Sequence, residues 1–440
     1  MAFRRTMCAL SVTALTGLLI LTAAPSASAD QIRRDQWALK ALQTEAVWKI
    51  STGAGVTVAV IESSGMNFDH VDLKGNLLKG HDFEHGGAAQ SPEESDDNPA
   101  HGTGMASIIA GHGHGSQGED GIKGLAPDAK ILPIRSTGMG YAEEIRYAVD
   151  QGASVINISE TQSADLAEDR EAVVYALKHD VLVVSGSGNG GNDGIQYPAK
   201  YPGVLTVGGA SSDGNLWEGS NYGPEVLLLA PADRIVSAGW PGSDAARMAS
   251  GTSDAAAYAS AAVALLRSKF PDLTAGQLVN RLVKTASLPD AVKEVSVPDE
   301  RYGYGSIQPL AALTEDIPVG PKYGPLKVPD LLNPASAGKS DTDYAAENKK
   351  ADQKQMLFFV ILGVIALVAV TLIVLLSMKM SRRNKNGAGG PGGLDATGGG
   401  HQYGQHMTPP QNPYQQSVQP QHNPYQQRSA PTQGQWPPQQ

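Results

Sequence analysis

Four short runs in this sequence carry side chains able to do acyl-transfer chemistry, each beside glycine. They are Glu62-Ser63-Ser64-Gly65, His101-Gly102-Thr103, Gly188-Asn189-Gly190 and Gly251-Thr252-Ser253. They supply an acid, an imidazole, an amide and a hydroxyl. A serine hydroxyl is a weak nucleophile at neutral pH; it needs an adjacent base, and the base needs an acid to orient it. The oxyanion formed on attack needs donors in a dry place. A helix that starts at the serine supplies its own N–H, and an asparagine amide supplies a second. The neighbouring glycines let backbone and substrate approach closely.

Such groups work only if the elements around them bring them together. Val56 to Ile61 is an apolar, β-branched run and reads as a buried strand; Lys130 to Arg135, Ser154 to Ile158, Val181 to Ser185 and Val204 to Val207 read likewise. Helical patterns lie between them, at Tyr141 to Gln151 and Asp165 to His179. Strand alternating with helix implies an α/β fold, a mostly parallel sheet covered on both faces. In such sheets function gathers at the carboxyl ends of the strands. The acid run follows the first strand, the asparagine run follows Val184, and the serine run opens a helix rich in Ala and Leu.

With these residues in view, the chain resembles the subtilisin-like serine peptidases, or subtilases. The order acid, histidine, serine is that of subtilisin. His101-Gly102-Thr103 and Gly251-Thr252-Ser253 match its two specific motifs, Asn189 matches its oxyanion asparagine, and Tyr302-Gly303-Tyr304-Gly305 resembles the close of its domain. The layout is most similar to the mycosins, membrane-tethered subtilases of type VII secretion. The resemblance implies a three-layer subtilase-type domain in which Ser253 attacks, His101 moves the proton, Glu62 orients the ring and Asn189 holds the oxyanion. It makes Ser159, Glu160 and Gly188 part of the substrate groove, and protein or peptide the substrate. It also implies a type VII secretion complex as partner. From Asp30 to Gly55 there are only 26 residues, too few for the folded propeptide of most secreted subtilases.

The sequence departs from the family at two points. Where subtilases have Asp, counting forward from the strand gives Glu62 and counting back from Gly65 gives Ser63. Asp69 and Asp72 stand nearby as relocated candidates, though Asp69-His70-Val71-Asp72 reads better as a surface turn. After the nucleophile, Asp254 replaces the usual Met. It serves either as a first-turn acid complementing the helix dipole or as a charge that disfavours the oxyanion. A catalytically impaired pseudopeptidase, keeping the groove as a binding or scaffold module, is therefore the alternative to a serine endopeptidase.

Other features read more plainly. His112-Gly113-His114 lacks a third ligand, Asp96-Asp97 reads as a solvated loop, and Asn157-Ile158-Ser159 is a glycosylation pattern on a buried strand. We expect no metal and no cofactor. The net charge of −10 excludes a basic nucleic-acid footprint. The sole cysteine, Cys8, lies in an expected signal peptide, residues 1–29, with Arg4 and Arg5 before an apolar run and Ala27-Ser28-Ala29 at its end. The peptidase domain is expected at 30–313 and a stalk at 314–355. The apolar run at 356–378 is expected to be a transmembrane helix; its 22 uncharged residues from Leu357 to Met378 would span about 33 Å. Lys379, Arg382, Arg383 and Lys385 follow, which places the tail inside the cell and the domain outside. Residues 379–440, rich in Gly, Pro and Gln, read as a disordered cytoplasmic tail.

Overall fold

The computed structural model describes residues 26–332. The signal-peptide run up to residue 25, the apolar run 356–378 and the tail 379–440 lie outside the described residues. Among the described residues no helix is long and apolar enough to cross a membrane.

Eleven strands are present among the described residues: β1 Thr57–Glu62, β2 His81–Asp82, β3 His112–His114, β4 Asp120–Lys123, β5 Lys130–Arg135, β6 Val155–Ile158, β7 Leu182–Gly186, β8 Leu205–Ala210, β9 Val226–Pro231, β10 Ile235–Ala238 and β11 Ala246–Ala249. Seven form one sheet in the order β2-β5-β1-β6-β7-β8-β9, every pair parallel. The α helices are α1 Ser26–Asp35, α2 Trp37–Ala41, α3 Thr44–Val47, α4 His101–Ala110, α5 Ala142–Asp150, α6 Ala167–Lys178, α7 Thr252–Lys269, α8 Ala275–Thr285 and α9 Pro309–Thr314.

Strand periodicity decides what each face of the sheet meets. Val58 and Val60 of β1 join Leu182 and Val184 of β7 in one core with α4 and α7. Ala59 and Ile61 join Ile156 and Val183 in a second core with α5 and α6. Alternate residues of a strand point to opposite faces, so Glu62 shares the side of Val60, the side on which α4 begins with His101. β1 lies between β5 and β6, where the chain changes direction across the sheet. Side chains at its carboxyl end therefore face a crevice.

α7 crosses beneath β6, β7, β8 and β9 and packs against α4. Its alanines, buried from Ala255 to Ala264, let it lie close to the sheet. Before the sheet, α2 and α3 bury Ala38, Leu39, Leu42 and Val47 in the same core. Trp37 Nε1 donates to the Asp233 carbonyl at 2.9 Å, and Gln36 Nε2 to that of Lys123 at 2.9 Å. After α9 the chain keeps contact with the body: Leu326 is buried in the main core, and the backbone of Tyr323 lies against Gly276. The packed unit thus continues past residue 313 into the segment expected to be stalk.

Candidate active site

Glu62 ends β1 and is fully buried. His101 opens α4 with its ring partly exposed, and its Nδ1 lies 2.6 Å from Glu62 Oε2. The count forward from the strand therefore gives the acid that meets the imidazole. Ser63 points elsewhere: its N–H and hydroxyl both donate to Glu160 Oε1. Asp72 is held by His114 Nδ1 at 2.6 Å and by the Ile122 N–H at 2.8 Å. Among the described residues neither Asp69 nor Asp72 bonds to His101. Burial alone would lower the His101 pKa, but the charge and hydrogen bond of Glu62 outweigh it and hold the pKa above the ordinary histidine value. Glu62 Oε1 is buried with no hydrogen-bond partner among the described residues.

Ser253 is the second residue of α7, so its N–H has no partner within the helix. Thr252 donates its N–H and hydroxyl to Asn189 Oδ1 at 2.9 and 3.0 Å. With Oδ1 committed, the Nδ2 group is the part of Asn189 left to donate. Gly188 sets that geometry. Its N–H donates to Thr252 Oγ1 at 3.0 Å, its φ is +110°, and a Cβ there would lie 2.4 Å from Asn221 Nδ2. Ser253 Oγ donates to the Ser159 carbonyl at 2.9 Å, while Ser159 Oγ returns a bond to the Ser253 carbonyl at 3.1 Å.

His101, Asn189, Ser253, Ser159, Glu160 and Gly188 line one cleft of about 580 Å³, with Ser63, Asp97, Tyr141 and Gln196 among its other walls. Glu62 lies behind it. The sequence reading named seven residues for this site; six line the cleft and Glu62 meets His101 from behind it. It missed three contributors. Thr252 orients Asn189. Asn157, fully buried, donates to Ser159 Oγ at 2.9 Å and accepts from Ser260 at 3.1 Å; a polar residue inside an apolar strand was the available signal. Arg247, on β11, had none: its Nη2 lies 3.7 Å from Asp254 Oδ1, and its Nε donates to Ser237 at 3.0 Å. A Cβ at Gly104 of α4 would lie 2.7 Å from that Nε, so glycine makes room for the guanidinium.

Asp254 is buried, and Oδ1 has no hydrogen-bond partner. Burial pushes its pKa up to about 6, against the opposing pull of Arg247 and His101. Away from the cleft, His112 bonds the carbonyls of Gly113 and Lys74, and Asp96 pairs with Arg135 at 2.8 Å. Asp96 is therefore part of a buried-cation contact, where the sequence suggested a solvated loop.

Residues 53–305 match the family model described as Subtilase family. Mycosin-1 of Mycolicibacterium smegmatis is 32% identical over 371 residues, covering 68% of this chain and 77% of that protein. The major intracellular serine protease of Bacillus subtilis is 34% identical over 244 residues, covering 52% and 74%. Among solved structures, MycP1 with its N-terminal propeptide removed superposes with a TM-score of 0.54 at 34% identity, over 64% of this chain and 98% of that one. MycP1 from the ESX-1 type VII secretion system gives 0.56 at 31% identity, over 66% and 88%.

Proposed function

The chain belongs to the subtilase family of serine peptidases, and from that premise we propose that it is an outward-facing, membrane-anchored serine endopeptidase with a Glu62-His101-Ser253 triad. The observation that carries the reading is the 2.6 Å contact between Glu62 Oε2 and His101 Nδ1, in the cleft that also holds Ser253. A carboxylate on Nδ1 fixes the tautomer that leaves Nε2 free to accept a proton. Ser253 Oγ, turned from the Ser159 carbonyl toward that nitrogen, gives up its proton as it attacks the scissile carbonyl. His101 then returns the proton to the leaving amine. The oxyanion falls to the Ser253 N–H and Asn189 Nδ2. An extended peptide lying past Ser159 and Glu160 is read first by its main chain. Similarity to mycosins, among them MycP1 from the ESX-1 type VII secretion system, supports a secretion complex as partner.

One observation favours the second reading, a pseudopeptidase that binds without cutting: the Ser253 hydroxyl is engaged with the Ser159 carbonyl at 2.9 Å. Labelling of the detergent-solubilised full chain with a fluorophosphonate separates the two. The peptidase reading expects labelling that Ser253→Ala abolishes and Glu62→Ala slows strongly. Absence of labelling in a folded wild-type chain would transfer the case to the scaffold reading.

A further inference from the structure

We propose that the cleft selects peptides by a cationic side chain, lysine or arginine, close to the scissile bond, and that Glu160 is the residue that receives it. The proposal deepens the peptidase reading and rests on it for the place where the substrate lies. Glu160 directly follows Ser159, whose carbonyl is 2.9 Å from Ser253 Oγ, so its carboxylate belongs to the wall beside the nucleophile. Its Oε1 is fixed by the N–H of Ser63 at 2.8 Å and by the Ser63 hydroxyl. Its Oε2 accepts no hydrogen bond from a described residue. The carboxylate is thus aimed by one oxygen and left with an open acceptor on the other.

The surroundings point to a cation as its partner. Asp97 also lines the cleft, Glu62 lies buried behind it, and no lysine or arginine is among the lining residues. The nearby guanidinium groups are engaged elsewhere, Arg247 with Asp254 and Arg135 with Glu84 and Asp96. Burial, and then the charge of Glu62, make the Glu160 anion costly to hold, and the two Ser63 bonds and the charge of His101 only partly offset this. An ammonium or guanidinium arriving with the substrate would relieve that cost and form a charge-assisted hydrogen bond in a partly dry site.

The test uses the full chain in detergent with Ser253→Ala, so that binding is read without turnover. Fluorescent peptides differing at one scanned position, as Arg, Lys, norleucine or Glu, are titrated by anisotropy. At one position the Arg and Lys peptides should bind at least about tenfold more tightly than the norleucine peptide, the yield of one charge-assisted bond. Glu160→Gln, which keeps an acceptor for Ser63, should bring the ratio to parity, and Glu160→Lys should turn it in favour of the Glu peptide. Equal binding of Arg and norleucine peptides at every position would overturn the proposal. So would a preference that survives Glu160→Gln, or one removed by Asp97→Asn instead. The same peptides offered to the chain with Ser253 intact keep the two readings apart. Cationic preference without cleavage sinks the peptidase and leaves Glu160 as the selector, whereas cleavage without preference does the reverse.

Discussion

Glu62 is one methylene longer than the aspartate its family uses, yet it closes a 2.6 Å contact with His101. Glu62→Gln keeps the shape and removes the charge, so the imidazole loses the acceptor that fixes its tautomer. The expected cost in turnover is about 10⁴-fold, the scale of the equivalent change in a well-studied serine triad. The pH profile provides an independent check. With Glu62 present the His101 pKa is raised, so activity falls with acidification from above the ordinary histidine range. In Glu62→Gln, burial acts unopposed by that charge, and the acid limb of the residual activity should move to lower pH. A limb that stays in place would remove Glu62 from the role. Asp254 gives the opposite kind of prediction. Its pKa is raised by burial to about 6, so the folded state holds a proton that the unfolded state releases. Its ionisation therefore costs stability, fully above about pH 6 and not at all below about pH 4, by roughly 3 kcal/mol for a two-unit shift. Asp254→Asn should raise the thermal midpoint at pH 8, and the gain should vanish toward pH 4; a gain independent of pH would show that charge is not the cause.

At the scale of elements, the site is held by a hydrogen-bonded line from α7 through β6 to the nucleophile: Ser260 to Asn157, Asn157 to Ser159, Ser159 to the Ser253 carbonyl. Asn157→Ala would leave two buried hydroxyls short of a partner and should cost about 2–4 kcal/mol, at the usual price of an unmade buried bond. Thermal unfolding of that variant beside Ser260→Ala tests the coupling, since the double variant should lose less than the sum of the two singles. Loss that simply adds would mean the two residues act separately. This line was half visible in the sequence. Asn157 could be placed on a buried strand, and the five strands read from β-branched runs fall on β1, β5, β6, β7 and β8 with shifts of one to three residues at some ends. Asn189 and Ser253 were read from glycine-bearing runs that match subtilase motifs, and Glu62 from the count forward along the first strand. What stayed hidden was side-chain pairing between different elements. Arg247 on the β10–β11 hairpin meets Asp254, and Ser63 meets Glu160, across separations that no local pattern marks. β9 was missed for another reason: Val226–Pro231 is rich in leucine and has one β-branched residue, and its place at the sheet edge follows from its pairing with β8.

At the scale of the whole molecule, the reading depends on where the cleft faces. The chain carries two apolar runs, one before the packed unit and one at 356–378, and the second is followed at once by Lys379, Arg382, Arg383 and Lys385. A leader cleaved as proposed and a positive inner flank would both put the cleft outside and the Gly, Pro and Gln-rich tail inside. Two independent signals agreeing on one orientation is the physical ground for the anchored arrangement. The expectation is that the chain sediments with membranes and resists alkaline carbonate. External protease on intact cells should remove the unit bearing His101 and Ser253 while sparing an epitope placed at the C-terminal end. Deleting 356–378 should move the chain to the medium with its fluorophosphonate labelling unchanged, because the packed unit closes before that run. Protection of the His101–Ser253 unit together with loss of the tail epitope would invert the topology. The cleft would then meet only cytoplasmic peptides, and a role beside an outward secretion complex could not stand.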